Sequence, residues 1–226
     1  NPAGSEGIIR FDERQILKHM KIICIGRNYA EHAKELNNAV PEDPVVFMKP
    51  PSALLVGDKP FYYPEFTQDL HYEGEIVLKV CKNGRHVQPE FAHEYYNEIA
   101  FGIDFTARDI QAKCKAKGLP WEIAKGFDGS AVLSDFVPLE QLEDPKSIHF
   151  SLKKNGQTVQ QGDTADVIFS FESIIVYVSK FFKLQMGDII YTGTPAGVGP
   201  VKVGDTLEGF IELKGGSKQF LTCEIK

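Results

Sequence analysis

Two carboxylates spaced two residues apart are the first feature of the sequence that could do chemistry. Glu73 and Glu75 stand on either side of Gly74, directly before the apolar run Ile76–Val80. On an extended strand, residues two apart project from the same face, so both carboxylates are expected to lie together. Two like charges at that distance either raise a pKa or need a cation between them. A solvated strand edge is the common alternative for such a pair, but Gly74 leaves room for a ligand to approach.

Asp104 is a candidate third carboxylate. It lies within the otherwise apolar run Ile99–Phe105, directly before a predicted helix. An acid buried there must be paired, protonated or bound to metal; the alternative is that it caps the helix. If Glu73, Glu75 and Asp104 converge, every ligand is an oxygen. Such a site favours a hard cation, Mg²⁺ first and then Mn²⁺ or Ca²⁺, over Zn²⁺.

A histidine and a lysine are candidates for proton transfer and charge stabilisation. His32 and Glu35 share one face of the predicted helix Tyr29–Leu36, so the carboxylate can orient the imidazole as a general base for water. A surface contact between the two is the plain alternative. Lys125 follows the single tryptophan, Trp121, by four residues. Beside an anion pocket it would stabilise an enolate or hold a carboxylate, but its spacing alone does not distinguish it from a solvated lysine.

The glycine-rich segment Thr192–Pro200 follows a predicted strand, so a phosphate loop has to be considered. The segment lacks the Gly-Lys-Ser/Thr ending of a P-loop, and no helix pattern follows it. A backbone nest that binds a carboxylate, helped by the Thr194 hydroxyl, fits better, and a tight turn is the alternative.

Strands are the main elements that must position these residues. Apolar and β-branched runs predict strands at Ile22–Ile25, Val45–Met48, Ile76–Val80, Ile99–Phe105 and Ile189–Thr192. Asn155-Gly156 and Gly215-Gly216 each separate two further strand patterns. Both dipeptides tolerate positive φ, so they predict two hairpins with primed two-residue turns.

Three helices complete the predicted elements. Asn28 and Glu31 have the spacing of a capping box, which predicts the helix Tyr29–Leu36. The second helix is predicted over Thr106–Lys117, and the third, with an apolar stripe typical of core packing, over Phe171–Phe182. Together with the strands they predict one α+β domain rich in mixed or antiparallel strands.

Length and composition exclude several classes of protein. The chain has 226 residues, 42% of them hydrophobic, and a formal net charge of -6. Apolar content is sufficient for a core, no apolar run approaches the ~20 residues of a membrane span, and the acidity argues against nucleic-acid binding. The four cysteines are scattered, which is typical of a reduced cytoplasmic protein.

We expect Met20 to be the native start and residues 1–19 to be an expression-tag leader, with a genuine N-terminal extension as the alternative.

In combination, these segments resemble the fumarylacetoacetate hydrolase family, specifically its short single-domain acylpyruvase-like members. The similarity covers essentially all of the chain after Met20, and its five motifs occur in the family's order. The matching stretches are Gly26-Arg27-Asn28-Tyr29 with His32, Glu73-Gly74-Glu75, Gly102–Asp109, Gly118–Lys125 and Gly187–Gly199. Each motif is weak alone, but the five in sequence are specific.

The resemblance implies a β-rich roll of layered mixed sheets with peripheral helices, formed by residues 20–226 and assembled as a homodimer. It assigns Glu73, Glu75 and Asp104 to the divalent-metal site. It also makes Lys125 the active-site lysine, and it makes His32 and Glu35 a catalytic dyad on a mobile lid helix. Residues expected on the same basis to contact substrate are Arg27, Arg108, Gln111, Gly193, Thr194 and Pro195.

The implied substrate is a small 2-oxo or 2,4-diketo acid. A site of this kind would hydrolyse the C–C bond of acylpyruvates, with water activated by His32 and Glu35, or decarboxylate oxaloacetate, because both reactions pass through an enolate. Two alternatives stay open. One is a 2-hydroxyhepta-2,4-diene-1,7-dioate isomerase of aromatic catabolism, and the other is a non-catalytic, metal-stabilised dicarboxylate-binding protein.

Overall fold

The structure, a computed structural model, describes residues 20–35 and 40–226. The expected leader 1–19 and Leu36, the last residue of the first predicted helix, lie outside the described residues. Within them the helices are α1 (Ala30–Glu35), α2 (Arg108–Lys117), α3 (Glu122–Lys125) and α4 (Phe171–Phe181). No helix among the described residues is long and apolar enough to span a membrane.

Strands dominate the chain. They are β1 (Ile22–Gly26), β2 (Val45–Lys49), β3 (Leu54–Val56), β4 (Leu70–Tyr72), β5 (Gly74–Val80), β6 (Tyr96–Asp104), β7 (Thr106–Ala107), β8 (Ala131–Leu133), β9 (Val137–Pro138), β10 (His149–Lys154), β11 (Gln157–Asp163), β12 (Ile189–Tyr191), β13 (Gly199–Pro200), β14 (Thr206–Leu213) and β15 (Gly216–Glu224). The five predicted apolar strands are all present, with ends that differ by at most three residues.

The strands of the described residues form three sheets. The largest has the order β2-β1-β12-β5-β6-β8-β3, with β9 paired to β6. It is mixed, because β1 pairs with β12 and β3 pairs with β8 in parallel, whereas its other pairs are antiparallel. A second sheet has the order β11-β10-β14-β15, and a third joins β13, β4 and β7. The expected mixed, strand-rich α+β architecture is confirmed.

The large sheet is buried on both faces, and this explains its nearly continuous apolar strands. On β6, Ile99, Phe101 and Ile103 belong to the main core, which also contains Leu152 of β10. Ala100, between them, belongs to a second cluster on the opposite face. Asp104 has the same parity as Ala100, so alternation along the strand directs its side chain to this second face.

Only the first of the two predicted turns occurs where expected. Asn155 and Gly156 have φ of 52° and 78° and join β10 to β11, as a primed turn requires. In the second hairpin Leu213 pairs with Gly216, so the loop residues are Lys214 and Gly215. The prediction of Gly215-Gly216 was wrong by one residue, because Gly216 keeps a positive φ and still pairs as the first residue of β15.

The predicted second helix starts too early. Thr106 and Ala107 pair with His71 and Leu70 as strand β7, so α2 begins only at Arg108. Its other end is as predicted, since Gly118 adopts a left-handed conformation with φ of 64°. The third predicted helix corresponds to α4, which ends at Phe181, one residue before the predicted end.

Candidate active site

The three predicted metal ligands converge where β5 begins and β6 ends. Glu75 pairs with Gly102 in the antiparallel ladder, and the backbone nitrogen of Asp104 donates to the carbonyl of Glu73 at 2.8 Å. The three side chains therefore project from one face of the sheet, and one carboxylate oxygen from each lies within 4.8 Å of the others. All three residues are buried. The register of two neighbouring strands thus creates the cluster that the sequence predicts.

Two buried lysines pair with this cluster. Lys125 Nζ lies 2.8 Å from Glu73 Oε2 and 2.7 Å from Asp104 Oδ2, so it bridges the two acids. Lys49 Nζ lies 2.6 Å from Asp104 Oδ1 and donates to the carbonyl oxygen of Ser130 at 2.9 Å. Asp104 therefore does not cap the next helix, whose N-cap is Ala107. Its buried charge is paired instead.

Arg108, the first residue of α2, approaches the cluster from its other side. Its Nη2 donates to Glu73 Oε1 at 2.6 Å, and its Nη1 donates to Gln111 Oε1 at 2.8 Å. Arg108 and Gln111 lie three residues apart on one helical face, so the same turn of α2 orients both. One predicted substrate contact, Arg108, is therefore bonded to a predicted metal ligand, and a second, Gln111, is bonded to Arg108.

The environment pushes the pKa values of the two glutamates in opposite directions. Burial would raise the pKa of Glu73, but Lys125 and Arg108 outweigh it and hold that pKa well below its ordinary value. Burial, followed by the charges of Asp104 and Glu73, raises the pKa of Glu75 well above its ordinary value. Burial would lower the pKa of Lys125, but Asp104 and Glu73 raise it overall, so the bridging ammonium stays charged.

The carboxylate cluster fits a hard divalent cation. Glu75 accepts a hydrogen bond from the backbone nitrogen of Gly193 at 2.7 Å, and no lysine or arginine of the described residues forms an ion pair with it. Its carboxylate therefore remains repelled by two neighbouring acids. A cation held by Glu73, Glu75 and Asp104 would remove this repulsion, and an all-oxygen donor set is the type that Mg²⁺ and Mn²⁺ prefer.

The glycine-rich loop after β12 is fastened to β5. Gly193 has φ of 102°, and a Cβ there would lie 2.7 Å from the Cβ of Asn28, so the position requires glycine. The Thr194 hydroxyl donates to the carbonyl of Gly74 at 2.8 Å and accepts from Gln160 Nε2 at 2.8 Å. Gln160 Nε2 also donates to the carbonyl of Pro195 at 3.0 Å. These contacts fix the predicted substrate loop beside Glu75.

The predicted dyad lies on α1. His32 Nδ1 is 3.3 Å from Glu35 Oε2, and the Glu35 carboxylate also accepts from the backbone nitrogen of Gly197, with Oε1 at 3.1 Å. Because a carboxylate only accepts, Nδ1 carries the proton and Nε2 is left as a base. Burial lowers the pKa of His32 in spite of the opposing effects of Glu73 and Glu35, which keeps the imidazole neutral.

Asn28, predicted to be half of a capping box, has a different role. Its Nδ2 donates to the carbonyls of Phe169 and Thr192 at 3.0 and 2.8 Å, and its Oδ1 accepts from the Phe169 nitrogen at 2.7 Å. The buried amide thus ties the segment before α1 to two distant loops, and the capping prediction is corrected. Long-range partners of this kind leave no trace in local spacing.

A cavity adjoins the cluster and brings together most of the predicted catalytic and substrate residues. Its walls include Arg27, His32, Arg108, Gln111, Lys115 and Lys125. Glu73 and Trp121 also line it, whereas Gly193, Thr194 and Pro195 do not. Sequence reasoning missed three residues of the site, namely Lys49, Gln160 and Lys115. Only Lys115 had a usable signal, because it follows Arg108 and Gln111 at helical spacing.

Comparison with known proteins identifies the family to which the chain is similar. Residues 21–221 match the family model described as fumarylacetoacetate (FAA) hydrolase C-terminal. The chain is 46% identical over 190 residues to bovine "Oxaloacetate tautomerase FAHD1, mitochondrial", which covers 84% of this chain and 86% of that protein. It is 40% identical over 189 residues to "Oxaloacetate decarboxylase, mitochondrial" of Dictyostelium discoideum, covering 83% and 87%.

A solved structure extends the similarity to three dimensions. Fumarylpyruvate hydrolase from Pseudomonas aeruginosa, crystallised with Mn²⁺ and pyruvate, superposes with a TM-score of 0.85 at 33% identity. The superposition covers 100% of this chain and 98% of that one. The predicted fold is therefore confirmed, and the chain belongs to the fumarylacetoacetate hydrolase family.

Proposed function

We propose that this protein is a divalent-metal-dependent enzyme that acts on oxaloacetate and related 2-oxo acids through an enolate. The observation that carries the proposal is the shared cavity, in which the neutral base His32 faces the same space as Arg108, Lys125 and the ligand carboxylate Glu73. The similarity of the chain to an oxaloacetate tautomerase and an oxaloacetate decarboxylase supports this substrate class.

The charged residues of the cavity would bind and orient the substrate. A cation held by Glu73, Glu75 and Asp104, for which we propose Mg²⁺ with Mn²⁺ as its substitute, would supply Lewis-acid polarisation of the 2-oxo group. Arg108 and Gln111 present nitrogen donors to a substrate carboxylate. Lys125 adds fixed positive charge where the enolate oxygen develops. Gly193, Thr194 and Pro195 are proposed to border the substrate by their backbone, because the Thr194 hydroxyl is already bonded.

His32 would carry the proton in each reaction. In tautomerisation its Nε2 takes a proton from C3 while the 2-oxo oxygen gains one, or the reverse. In decarboxylation the C3–C4 bond breaks, CO₂ leaves, and the enolate takes at C3 a proton that comes from water through His32 Nε2. Glu35 holds the imidazole in the tautomer with Nε2 free, so that Nε2 can take a proton from C3 or from water and then return it.

Hydrolysis of acylpyruvates is the second candidate, favoured by the pairing of His32 with Glu35. Here His32 would deprotonate water, the hydroxide would add to the distal carbonyl, and the C–C bond would break to release pyruvate as its enolate. The solved relative is a fumarylpyruvate hydrolase. The dienedioate isomerase is a third reaction of the same site, since it needs proton transfer but no water.

A substrate panel tests the proposal. The purified protein is assayed with oxaloacetate, acetylpyruvate and the dienedioate, with and without EDTA, while NMR distinguishes enol–keto exchange from CO₂ release. We expect EDTA-sensitive turnover of oxaloacetate that returns when Mg²⁺ or Mn²⁺ is added. If no substrate shows EDTA-sensitive turnover, the enzyme proposal is wrong and a dicarboxylate-binding protein is the better description.

A homodimer is proposed on the family resemblance and on one apolar surface. Tyr62 and Phe66 are 71% and 53% exposed, and with Leu55, Pro60 and Phe127 they line an open groove. An exposed patch of this kind is typical of an interface. Light scattering at several protein concentrations gives the mass directly, and a monomer at all of them would contradict the proposal.

A reducing compartment is proposed on the basis of four free cysteines, three of them buried. The sequence indicates the cytoplasm, whereas the bovine and Dictyostelium relatives are named mitochondrial. Fractionation of the source cells with markers for both compartments decides between the two.

A further inference from the structure

The charges that line the cavity are unbalanced. Four cationic side chains, Arg27, Arg108, Lys115 and Lys125, line it, and Glu73 is the single acid among the described lining residues. His32 is held neutral and adds no charge. The cavity therefore carries more positive charge than its own acid neutralises, which is typical of a site for anions.

Both oxygens of the single acid already contact cations of the inner cavity. Glu73 Oε1 accepts from Arg108, and Glu73 Oε2 accepts from Lys125. The Gln111 oxygen, another acceptor of the cavity, is also taken by Arg108. Among the described residues, neither Lys115 nor Arg27 forms an ion pair with an acid, and the buried Arg27 Nε has no hydrogen-bond acceptor.

Helix α2 arranges its polar residues in a row that leads away from the carboxylate cluster. Arg108, Gln111 and Lys115 occupy positions i, i+3 and i+7, so they share one face. With a rise of about 1.5 Å per residue, the Cα of Lys115 lies roughly 10 Å along the helix from that of Arg108. The inner end of the row contacts a metal ligand, and the outer end carries a second cationic group.

The Lys115 ammonium is held in place at this outer end. It lies 5.4 Å from the centre of the Trp121 ring, a contact that limits the orientations of a flexible side chain. Burial, followed by the nearby charges of Arg27 and Arg108, lowers the pKa of Lys115 to about 8. Neighbouring positive charges make it less favourable for Lys115 to hold its proton. An anion that binds between these cations removes their repulsion.

We propose that Lys115, with Arg27, binds the distal carboxylate of a dicarboxylic 2-oxo acid and makes the enzyme selective for substrates with two carboxylates. The inference rests on the proposed function for the reacting end of the substrate, which meets Arg108, Gln111 and Lys125. It goes beyond that function because it names the residues that bind the distal end of the substrate. Oxaloacetate and fumarylpyruvate both carry the second carboxylate, whereas acetylpyruvate ends in a methyl group.

The test compares matched ligands in Lys115→Met, Lys115→Arg and the control Lys117→Met, which removes an exposed lysine from the same helical turn. Calorimetry in the presence of Mn²⁺ measures Kd for 2-oxoglutarate and for 2-oxopentanoate, which has a methyl group in place of the distal carboxylate. We expect Lys115→Met to weaken 2-oxoglutarate binding by about tenfold, as for a lost charge-assisted hydrogen bond, and to change 2-oxopentanoate binding less than twofold. Lys115→Arg and Lys117→Met should retain the preference.

Kinetics supply the second readout. In Lys115→Met, KM for oxaloacetate should rise with little change in kcat, while both constants for acetylpyruvate stay near those of the wild type. The assignment would be overturned if Lys115→Met weakened the binding of 2-oxoglutarate and 2-oxopentanoate equally, or if it left the preference for 2-oxoglutarate unchanged. If the wild type turns over neither substrate, the proposed function fails, but the two Kd values still decide whether Lys115 recognises a distal carboxylate.

Discussion

The carboxylate of Glu35 accepts hydrogen bonds from the backbone nitrogen of Gly197, with Oε1 at 3.1 Å and Oε2 at 3.2 Å. The same carboxylate contacts His32, so the glycine-rich loop after β12 contributes to the orientation of the proposed base. The loop is in turn bonded to β5 through Thr194. Helix α1 is therefore positioned over the cavity by contacts from the sheet that carries the metal ligands.

Gly197→Ala should break this link. A Cβ at Gly197 would lie 2.3 Å from the carbonyl oxygen of Val159, and its φ of 96° is already unfavourable for alanine. We expect kcat to fall by at least about tenfold, because the loop must move away from Val159 and this displaces the Gly197 nitrogen that bonds to Glu35. The control is Gly187→Ala, which has a φ of 90° with nothing near its Cβ position. If both variants retain kcat, the link is not needed for catalysis.

His32→Ala should reduce kcat by about 10²- to 10⁴-fold, the usual contribution of a general base. Because burial lowers the pKa of His32, the wild type should keep its activity below pH 6.5, and the fall should follow protonation at lower pH. The pH profile of kcat/KM with Mg²⁺ measures this. Metal affinity should be unchanged in the variant, and the exposed His93→Ala serves as control. An unchanged kcat in His32→Ala would remove this residue from the mechanism.

Glu75→Gln should stabilise the metal-free protein and abolish its response to metal. The folded-state pKa of Glu75 is raised, so the folded protein retains a proton that the unfolded chain loses, and its stability falls as pH rises above the ordinary pKa. Glutamine is neutral without this proton, so the substitution removes the cost of keeping it at pH 7 and should raise Tm by about 2–4 °C for each kcal/mol recovered.

Thermal unfolding with EDTA and with Mn²⁺ checks both parts of this prediction. Wild type should gain about 2.7 kcal/mol at a Mn²⁺ concentration 100 times Kd, whereas Glu75→Gln should gain little. The exposed Glu122→Gln should behave as wild type. Equal Mn²⁺ stabilisation of Glu75→Gln and wild type would show that Glu75 is not a ligand.

The preference for dicarboxylates should weaken at alkaline pH. Lys115 is faced by Arg27, Arg108, Lys125 and Glu73, and its pKa of about 8 means that the empty site loses this charge as pH rises through 8. The ratio of KM for oxaloacetate to KM for acetylpyruvate should therefore increase above pH 8. In Lys115→Arg the ratio should stay flat, because arginine remains charged. A parallel increase in Lys115→Arg would exclude Lys115 as the titrating group.

Local patterns in the sequence predicted the strands, and the family resemblance was needed to bring the three carboxylates together as one cluster. Glu73, Glu75 and Asp104 lie at the ends of apolar runs. Because side chains alternate along a strand, each of them can point to only one of two faces of the sheet. Lys49 could not be predicted in the same way. It ends an apolar strand like many solvated lysines, and only the fold brings it to Asp104, 55 residues further along the chain.

Errors occurred where a distant segment competes with a local signal. Thr106 continues the helix pattern that follows it, but pairing with His71 converts it to strand. Asn28 has capping-box spacing, yet its amide bonds to Phe169 and Thr192, more than 140 residues away. Gln160 looks like an ordinary residue of a hairpin strand until the loop containing Thr194 folds against it.

The two halves of the site differ in how easily evolution can alter them. The carboxylates are set by the register of β5 and β6, where Gly102 has no room for a Cβ against Tyr191 and Val77, so a change there disturbs the core. The proposed proton carrier lies on α1, a helix of six residues between β1 and β2. Substitutions in that short segment lie outside the ladder of β5 and β6. The proton carrier can therefore be varied while the carboxylate cluster is retained, which makes α1 the place where a protein engineer would try to change the reaction.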